Sequence, residues 1–408
     1  MKNKLSILLI GLLCSGCETK KPLEGLRESV VALKQKSSSL KKGESAELDG
    51  SSNVLSDDLK LIQELDLGNT NTSKLLSLPI MVGNEIVILD TSHQLRGFDK
   101  NTLKEMWAVS LVERVREDQE GAIGGGGITF SDDVLYVTSA LGEVIAISAA
   151  DKKIIWRKKT SSFSRGAPLV DEKAVYVLTN NNRSAAYDKK TGDILWTHEA
   201  SIETASMATG VSVSSNGEFL VVPYTSGDVV CLSRYGKMLW SEHLGASNAA
   251  QLSFKHVATK PIIEGRDVFV GAISDHFAKF DLKTGDKAWD IPKSAFGIPA
   301  SSGNAIFFTT LNKTLVAASK KTGDIFWETT LPNANEELFG KSIHWTAPVL
   351  SGNRIYVVGS NKEIRILDAK TGELIQSIEM NRLVLTQPVM LDNTLVLMTQ
   401  TGQVLFYR

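Results

Sequence analysis

The chain has 408 residues, 42% apolar and 22% charged, with 45 Lys+Arg against 46 Asp+Glu. That size and apolar content support a large buried core and exclude a wholly disordered chain. A formal net charge of −1 argues against a polyelectrolyte partner, since nucleic-acid binders generally need a basic stripe to displace counterions.

At roughly 100 to 200 residues per domain, length alone suggests two or three domains. The first element in chain order is a leader. Lys2 and Lys4 precede an apolar run, Leu5–Leu13, broken only by Ser6 and Gly11, and small Ser15-Gly16 lead to Cys17. This is the layout of a secretory signal peptide, and it is too short to span a bilayer, which needs about 20 residues. A Cys directly after two small residues resembles the lipobox of bacterial lipoproteins, although the Leu that the pattern prefers three places earlier is here Cys14. The resemblance implies cleavage after residue 16, lipidation (palmitate) of Cys17, and a chain anchored to a membrane without crossing it. Glu18 stands where enterobacterial lipoproteins retained in the inner membrane carry Asp, which favours the outer membrane. With Cys14 removed and Cys17 acylated, Cys231 is alone, and no intramolecular disulfide forms.

Residues 17–57 read as a lipidated N-terminus and flexible tether. Leu33–Gly43 and Asp49–Asn53 are rich in Ser, Lys and Gly, a composition that buries little. Leu26–Leu33 is the one stretch suited to a short helix. The body is expected to occupy residues 58–408.

An internal repeat decides the fold of that body. Six of the seven tryptophans, Trp107, Trp156, Trp196, Trp240, Trp289 and Trp327, recur every 38 to 49 residues. Within Lys173–Trp196 the apolar run Ala-Val-Tyr-Val-Leu gives way to Asn180-Asn181-Asn182. Then come Ser-Ala-Ala-Tyr-Asp188, Thr191-Gly192 and Asp-Ile-Leu-Trp196. Short β-branched or aromatic runs separated by Asn and Gly are strands and turns, and the i, i+3, i+4, i+7 spacing of a helical repeat is missing. Seven complete units are followed by a truncated one, Pro388 to Tyr407, with three strands. Its fourth strand is expected from Leu61–Leu67, which matches Leu374–Met380 at the end of the preceding unit. The expected fold is all-β: an eight-bladed β-propeller of four-stranded antiparallel blades, closed by an N-terminal strand that joins the last blade and so removes the open sheet edges.

Units that end Ala-x-Asp-x-x-Thr-Gly-x-x-x-Trp, as in Ala186–Trp196, resemble the PQQ-like repeats of quinoprotein alcohol dehydrogenases. An eight-bladed ring with no added domain, behind a lipoprotein signal, resembles the BamB family of the machinery that assembles outer-membrane β-barrels. The resemblance covers residues 58–408. It implies a noncatalytic scaffold in the outer membrane, lipid-anchored and facing the periplasm. It also implies docking on the POTRA domains of the barrel-inserting subunit BamA, beside the other assembly-complex lipoproteins, with contact to nascent outer-membrane proteins. By position, the family's docking loops fall on Ile202–Thr209 and Ser253–Lys260, which makes Ile202, Glu203, Ala205, Met207, Phe254 and His256 the partner-binding candidates. The family carries an Arg in the first loop and acidic residues in the second, and here the first loop has no Arg and the second no acid.

The rival readings are a propeller lipoprotein of another envelope complex and a PQQ-dependent dehydrogenase. The resemblance to dehydrogenases implies a vicinal disulfide over the cofactor, and Cys231 has no neighbouring cysteine. His93, His198, His243, His256, His276 and His344 never fall at i, i+3 or i, i+4, so zinc catalysis finds no motif. Gly121–Gly127 lacks the Lys-Ser/Thr and helix of a phosphate loop and reads as a connector where backbones approach closely. Lys152-Lys153 and Arg157–Lys159 read as a solvated rim. Trp345, out of register with the other six, is either a surface anchor or a filler between blades. No catalytic residue, metal ligand or cofactor is assigned.

Overall fold

A computed structural model describes residues 45–49, 55, 58–67, 77–90, 92–112, 126–164, 166–201, 211–244, 255–335, 341–384, 386–399 and 401–408. All lie in one compact unit, Leu40–Arg408. Blade 3 is typical: Leu169–Val170, Ala174–Leu178, Arg183–Asp188 and Ile194–Glu199 pair antiparallel in that order. The same four-stranded order recurs in eight sheets. Blades 1 to 7 span Ile80–Ser110, Gly127–Lys159, Leu169–Glu199, Ser214–His243, Ile262–Ile291, Ala300–Thr330 and Val349–Glu379. Blade 8 takes its first three strands from Val389–Tyr407 and its outer strand from Leu61–Asp66, which pairs antiparallel with Gln403–Tyr407. The length thus builds one ring, not the two or three domains that its size suggests. The ring is closed as expected, by the N-terminal strand.

The buried apolar residues form eight clusters, one at each joint between neighbouring blades. At five joints the outer end is built alike. Trp156, Trp196, Trp240, Trp289 and Trp327 each donate the indole N–H to a main-chain carbonyl of the next blade, of Lys189, Arg234, Leu282, Lys320 and Ala369, at 2.8 to 3.2 Å. Each ring also lies against a glycine of that next blade: Gly192, Gly236, Gly285, Gly323 and Gly372, all with φ between +72° and +81°. A Cβ at any of these glycines would come within 2.5 to 2.9 Å of the indole. The Gly therefore serves twice, by taking the left-handed turn without strain and by leaving room for the ring. Facing the Trp across its own sheet is a small residue in four of the five: Ala146, Ala186, Cys231 and Ala317. Cys231 is thus a small packing residue under Trp240. Blade 4 is the unit with one residue fewer before its Trp, and there the turn closes by Gly236 N–H to the Ser233 carbonyl instead of the longer Gly192-to-Asp188 span.

Trp107 is the sixth repeat tryptophan, and its partner blade has no Gly. Lys152 occupies that place with φ +62°, its ammonium 4.3 Å from the centre of the Trp107 ring and 2.5 Å from the Ala149 carbonyl. That carbonyl is the counterpart of those used elsewhere, so the Trp107 indole turns to Glu85 Oε2 at 2.8 Å instead. Lys152 belongs to the joint more than to a solvated rim. Gly97 faces Trp107, and a Cβ there would sit 2.2 Å from the ring.

The seventh tryptophan, Trp345, is buried in the cluster between blades 6 and 7 and donates to the Pro332 carbonyl at 2.8 Å. It is a filler between blades. Gly126 and Gly127 sit where backbones approach closely, since a Cβ on them would meet the Thr138 carbonyl at 2.3 Å and Ala167 at 2.7 Å. Gly121 to Gly125 lie outside the described residues. Ser45–Asp49 and Leu55, inside the stretch expected to be tether, contact the ring.

Candidate partner-docking face

The antiparallel order fixes two faces. Turns between first and second strands and between third and fourth strands open on one face. Turns between second and third strands, with the connectors that lead from one blade to the next, open on the other. Connectors are the longest segments between the blades' strands, and long loops on a rigid scaffold are where recognition concentrates.

Every blade places one left-handed residue in its second-to-third turn: His93, Gly142, Asn182, Gly227, Asp275, Lys313, Lys362 and Gly402. In seven blades the carbonyl of that residue accepts the N–H of the first connector residue, as Asn182 does from Ala200 and Gly227 from Leu244. The return of a connector is pinned as well: the His256 carbonyl accepts from Ile273, His344 from Ser360 and Phe163 from Asn180. Seven connectors thus leave the ring at a fixed point, and those between blades 2 and 3, 4 and 5, and 6 and 7 also rejoin it at one.

Between blades 3 and 4 the pinning is reinforced by a buried polar network. The Asn182 side chain, fully buried, donates to the Ser201 carbonyl at 2.6 Å and accepts from Thr225 N–H at 2.9 Å and Thr225 Oγ1 at 2.8 Å. Beside it, Tyr224 Oη lies 2.7 Å from Ser184 Oγ and 2.8 Å from His198 Nδ1. Burial lowers the His198 pKa below 6.5 and raises that of Tyr224. Both rings therefore stay neutral at pH 7, as hydrogen-bonded struts under the connector. Between blades 4 and 5, Ser274 Oγ donates to the Leu244 carbonyl at 2.6 Å and Val257 N–H to Tyr224 at 3.2 Å. His243 Nδ1 meets Asp228 at 2.8 Å, and His276 Nδ1 meets Asp290 at 2.9 Å. His276 opens the third strand of blade 5, as its place after Asp275 suggests.

Of the expected site residues, Ile202, Glu203, Ala205, Met207 and Phe254 lie outside the described residues, as does Cys17. His256 is described, and its place differs from the expectation: it is 1% exposed, so its ring faces inward and its carbonyl pins the connector. The reason is its position, one residue before Val257, which bridges to Ala272 in blade 5. What the structure brings together is the pair of connector stems, through Asn182, Tyr224 and Thr225. In the sequence Asn182 reads only as turn punctuation. An Asn at a left-handed turn position, next to Thr225 in the corresponding turn of the next unit, was the available signal.

Burial pushes the Cys231 thiol up to about 12, which keeps it protonated and unreactive. Among the described residues no group of three or more His, Cys, Asp or Glu is placed to hold a metal ion. A cavity of about 490 Å³ lies along the first strands of blades 6 and 7. Gln387 lines it and donates to the Ile298 and Pro348 carbonyls at 2.9 and 3.2 Å.

Comparison with known proteins adds to this geometry. The outer membrane protein assembly factor BamB of Shewanella oneidensis is 20% identical over 335 residues, covering 80% of this chain and 82% of that protein. The crystal structure of BamB from Moraxella catarrhalis superposes with a TM-score of 0.72 at 17% identity, over 86% of this chain and 99% of that one. A quinohemoprotein alcohol dehydrogenase from Comamonas testosteroni shares the fold with a TM-score of 0.62 at 14% identity, over 86% and 76%. The family model described as outer membrane protein assembly factor BamB matches residues 91–329, more than half of the ring's repeats, and the chain belongs to that family.

Proposed function

We infer that this protein is a noncatalytic scaffold in the assembly of β-barrel proteins into the bacterial outer membrane. In this reading Cys17 carries lipid, the ring faces the periplasm, and the connectors on either side of blade 4 dock the POTRA domains of a BamA-type barrel-inserting subunit. Ile202, Glu203, Ala205, Met207 and Phe254 are the contact candidates. The observation that carries the reading is the shared anchorage of those two connectors. Asn182, Tyr224 and Thr225 tie both stems to one buried network, which lets adjacent loops present one surface of fixed geometry at low ordering cost. Family membership names the process, and the buried, protonated Cys231 supports a role in holding over one in chemistry. Other assembly-complex lipoproteins and nascent barrel proteins are further partners of the same platform, the latter by strand addition to the exposed outer strands.

Co-purification from detergent extracts tests the assignment. Recovery with a barrel-inserting subunit is expected, and reproducible recovery with a different envelope complex alone would overturn it. Cys17→Ser is expected to move the protein from the membrane to the soluble periplasmic fraction.

A further inference from the structure

The joint between blades 7 and 8 lacks the Trp and Gly that five of the joints use at their outer end. Matched through strand register to the joint between blades 4 and 5, Trp240 becomes Gln376 and Phe219 becomes Arg354. The turn that carries Leu282 is replaced by the entry of the N-terminal segment, where Lys60 and Arg408 exchange main-chain hydrogen bonds of 2.8 and 3.0 Å. The apolar volume is restored by Leu55 and Leu59, 2% and 4% exposed, packed with Tyr356, Ile366, Leu405 and Tyr407.

The same segment is fastened a second time, on blade 6. Glu47 N–H donates to Asn304 Oδ1 at 2.7 Å, Asn304 N–H to the Glu47 carbonyl at 3.0 Å, Asp49 N–H to Ser302 Oγ at 2.9 Å, and Gly303 N–H to Asp49 Oδ2 at 2.7 Å. Ala46 is buried in the cluster between blades 6 and 7. A Cβ on Gly303 would lie 1.9 Å from the Glu47 carbonyl, so the turn leaves just enough room for a crossing main chain. Main-chain bonding at one point and buried leucines at the other bind one segment to three successive blades.

We propose that this segment is a latch on the ring, held by Ser45–Asp49 on blade 6 and by Leu55 and Leu59 at the joint of blades 7 and 8. Blade 8 depends on it. The strand Leu61–Asp66 follows directly from the latch, so a pull or a competing contact that frees the blade 6 anchor is passed along the chain to the closing blade. The proposal concerns the ring alone and is independent of which partner it docks.

Amide hydrogen exchange on the full chain tests it, with substitutions confined to the segment. Ala46→Asp places a charge in the buried blade 6 anchor, and Leu55→Asp does so at the closing joint. Both are expected to speed exchange in Leu61–Asp66 and Gln403–Tyr407 by about tenfold or more, while Ala174–Leu178 of blade 3 keeps its protection. Unchanged exchange in the closing blade, or an equal rise in blade 3, would overturn the latch. Should Leu55→Asp fail to fold, Ala46→Asp decides, because its site is separated from the closing blade by all of blade 7.

Discussion

Five joints of the ring and the two that flank blade 8 solve one packing problem with opposite parts. In the five, a large Trp meets a bare Gly across the joint, and the residue facing the Trp in its own sheet is small in four. At the flanking joints Gln376 and Gln63 replace the Trp. Leu59 and Leu103 stand two residues before the outer strand, where the Gly stands elsewhere, and bulky Ile366 and Phe406 face the Gln. Leu103 accepts a left-handed φ of 55° to do so. Three positions change together while the filled volume is kept, as a close-packed interior requires. The lesson is that the Thr-Gly-x-x-x-Trp signature belongs to the joint and not to the blade: its Gly serves the preceding Trp and its Trp serves the following Gly.

Breaking one of the five joints should have the largest effect. Trp240→Gln removes a nearly buried indole and its bond to Leu282, and a loss of roughly 3 kcal/mol or more is expected in denaturant unfolding. Adding Gly285→Leu and Cys231→Ile converts the joint to the flanking type. The triple variant is expected to recover about 1 kcal/mol or more of that loss. Additive losses would show that the two solutions are not interchangeable.

A pH effect follows from two imidazoles, His93 buried and His198 half-buried. Burial holds His93 and His198 below 6.5, so the unfolded chain binds their protons first. The stability they lend is complete above pH 6.5 and is lost as pH falls through their lowered folded values. The denaturation midpoint should therefore drop between pH 7.5 and 5, and His198→Gln should shrink the drop. The smallest effect is expected at the odd sixth joint. Lys152→Gly relieves a left-handed backbone, worth about 1 kcal/mol, and forfeits a cation–π contact of similar size. Stability should stay within about 1 kcal/mol, while the indole N–H resonance of Trp107 shifts as it moves from Glu85 to the Ala149 carbonyl.

Much of the fold was legible because it repeats. The Trp spacing and the Asn and Gly punctuation marked the strands, and Leu61–Leu67 matched Leu374–Met380 closely enough to place the closing strand. What the sequence hid were features defined across a joint. Lys152 reads as a surface charge until its turn is seen to lack the Gly. Ala46, Leu55 and Leu59 are isolated among Ser, Gly and charged residues, so no periodicity marks them as buried. On the docking face, connector positions were legible from the repeat, but the inward turn of His256 depends on the bridge made by the next residue, Val257, which has no local signal.

The proposed docking through the blade 3–4 and 4–5 connectors is the centre of the functional account. Its most direct measurement is site-specific photocrosslinking from Glu203 and Met207 in intact cells, with exposed Lys190 on the opposite face as the reference position. Adducts with the barrel-inserting subunit from Glu203 and Met207 and none from Lys190 are predicted. Adducts from Lys190 alone, or none with that subunit from either connector position, would contradict it.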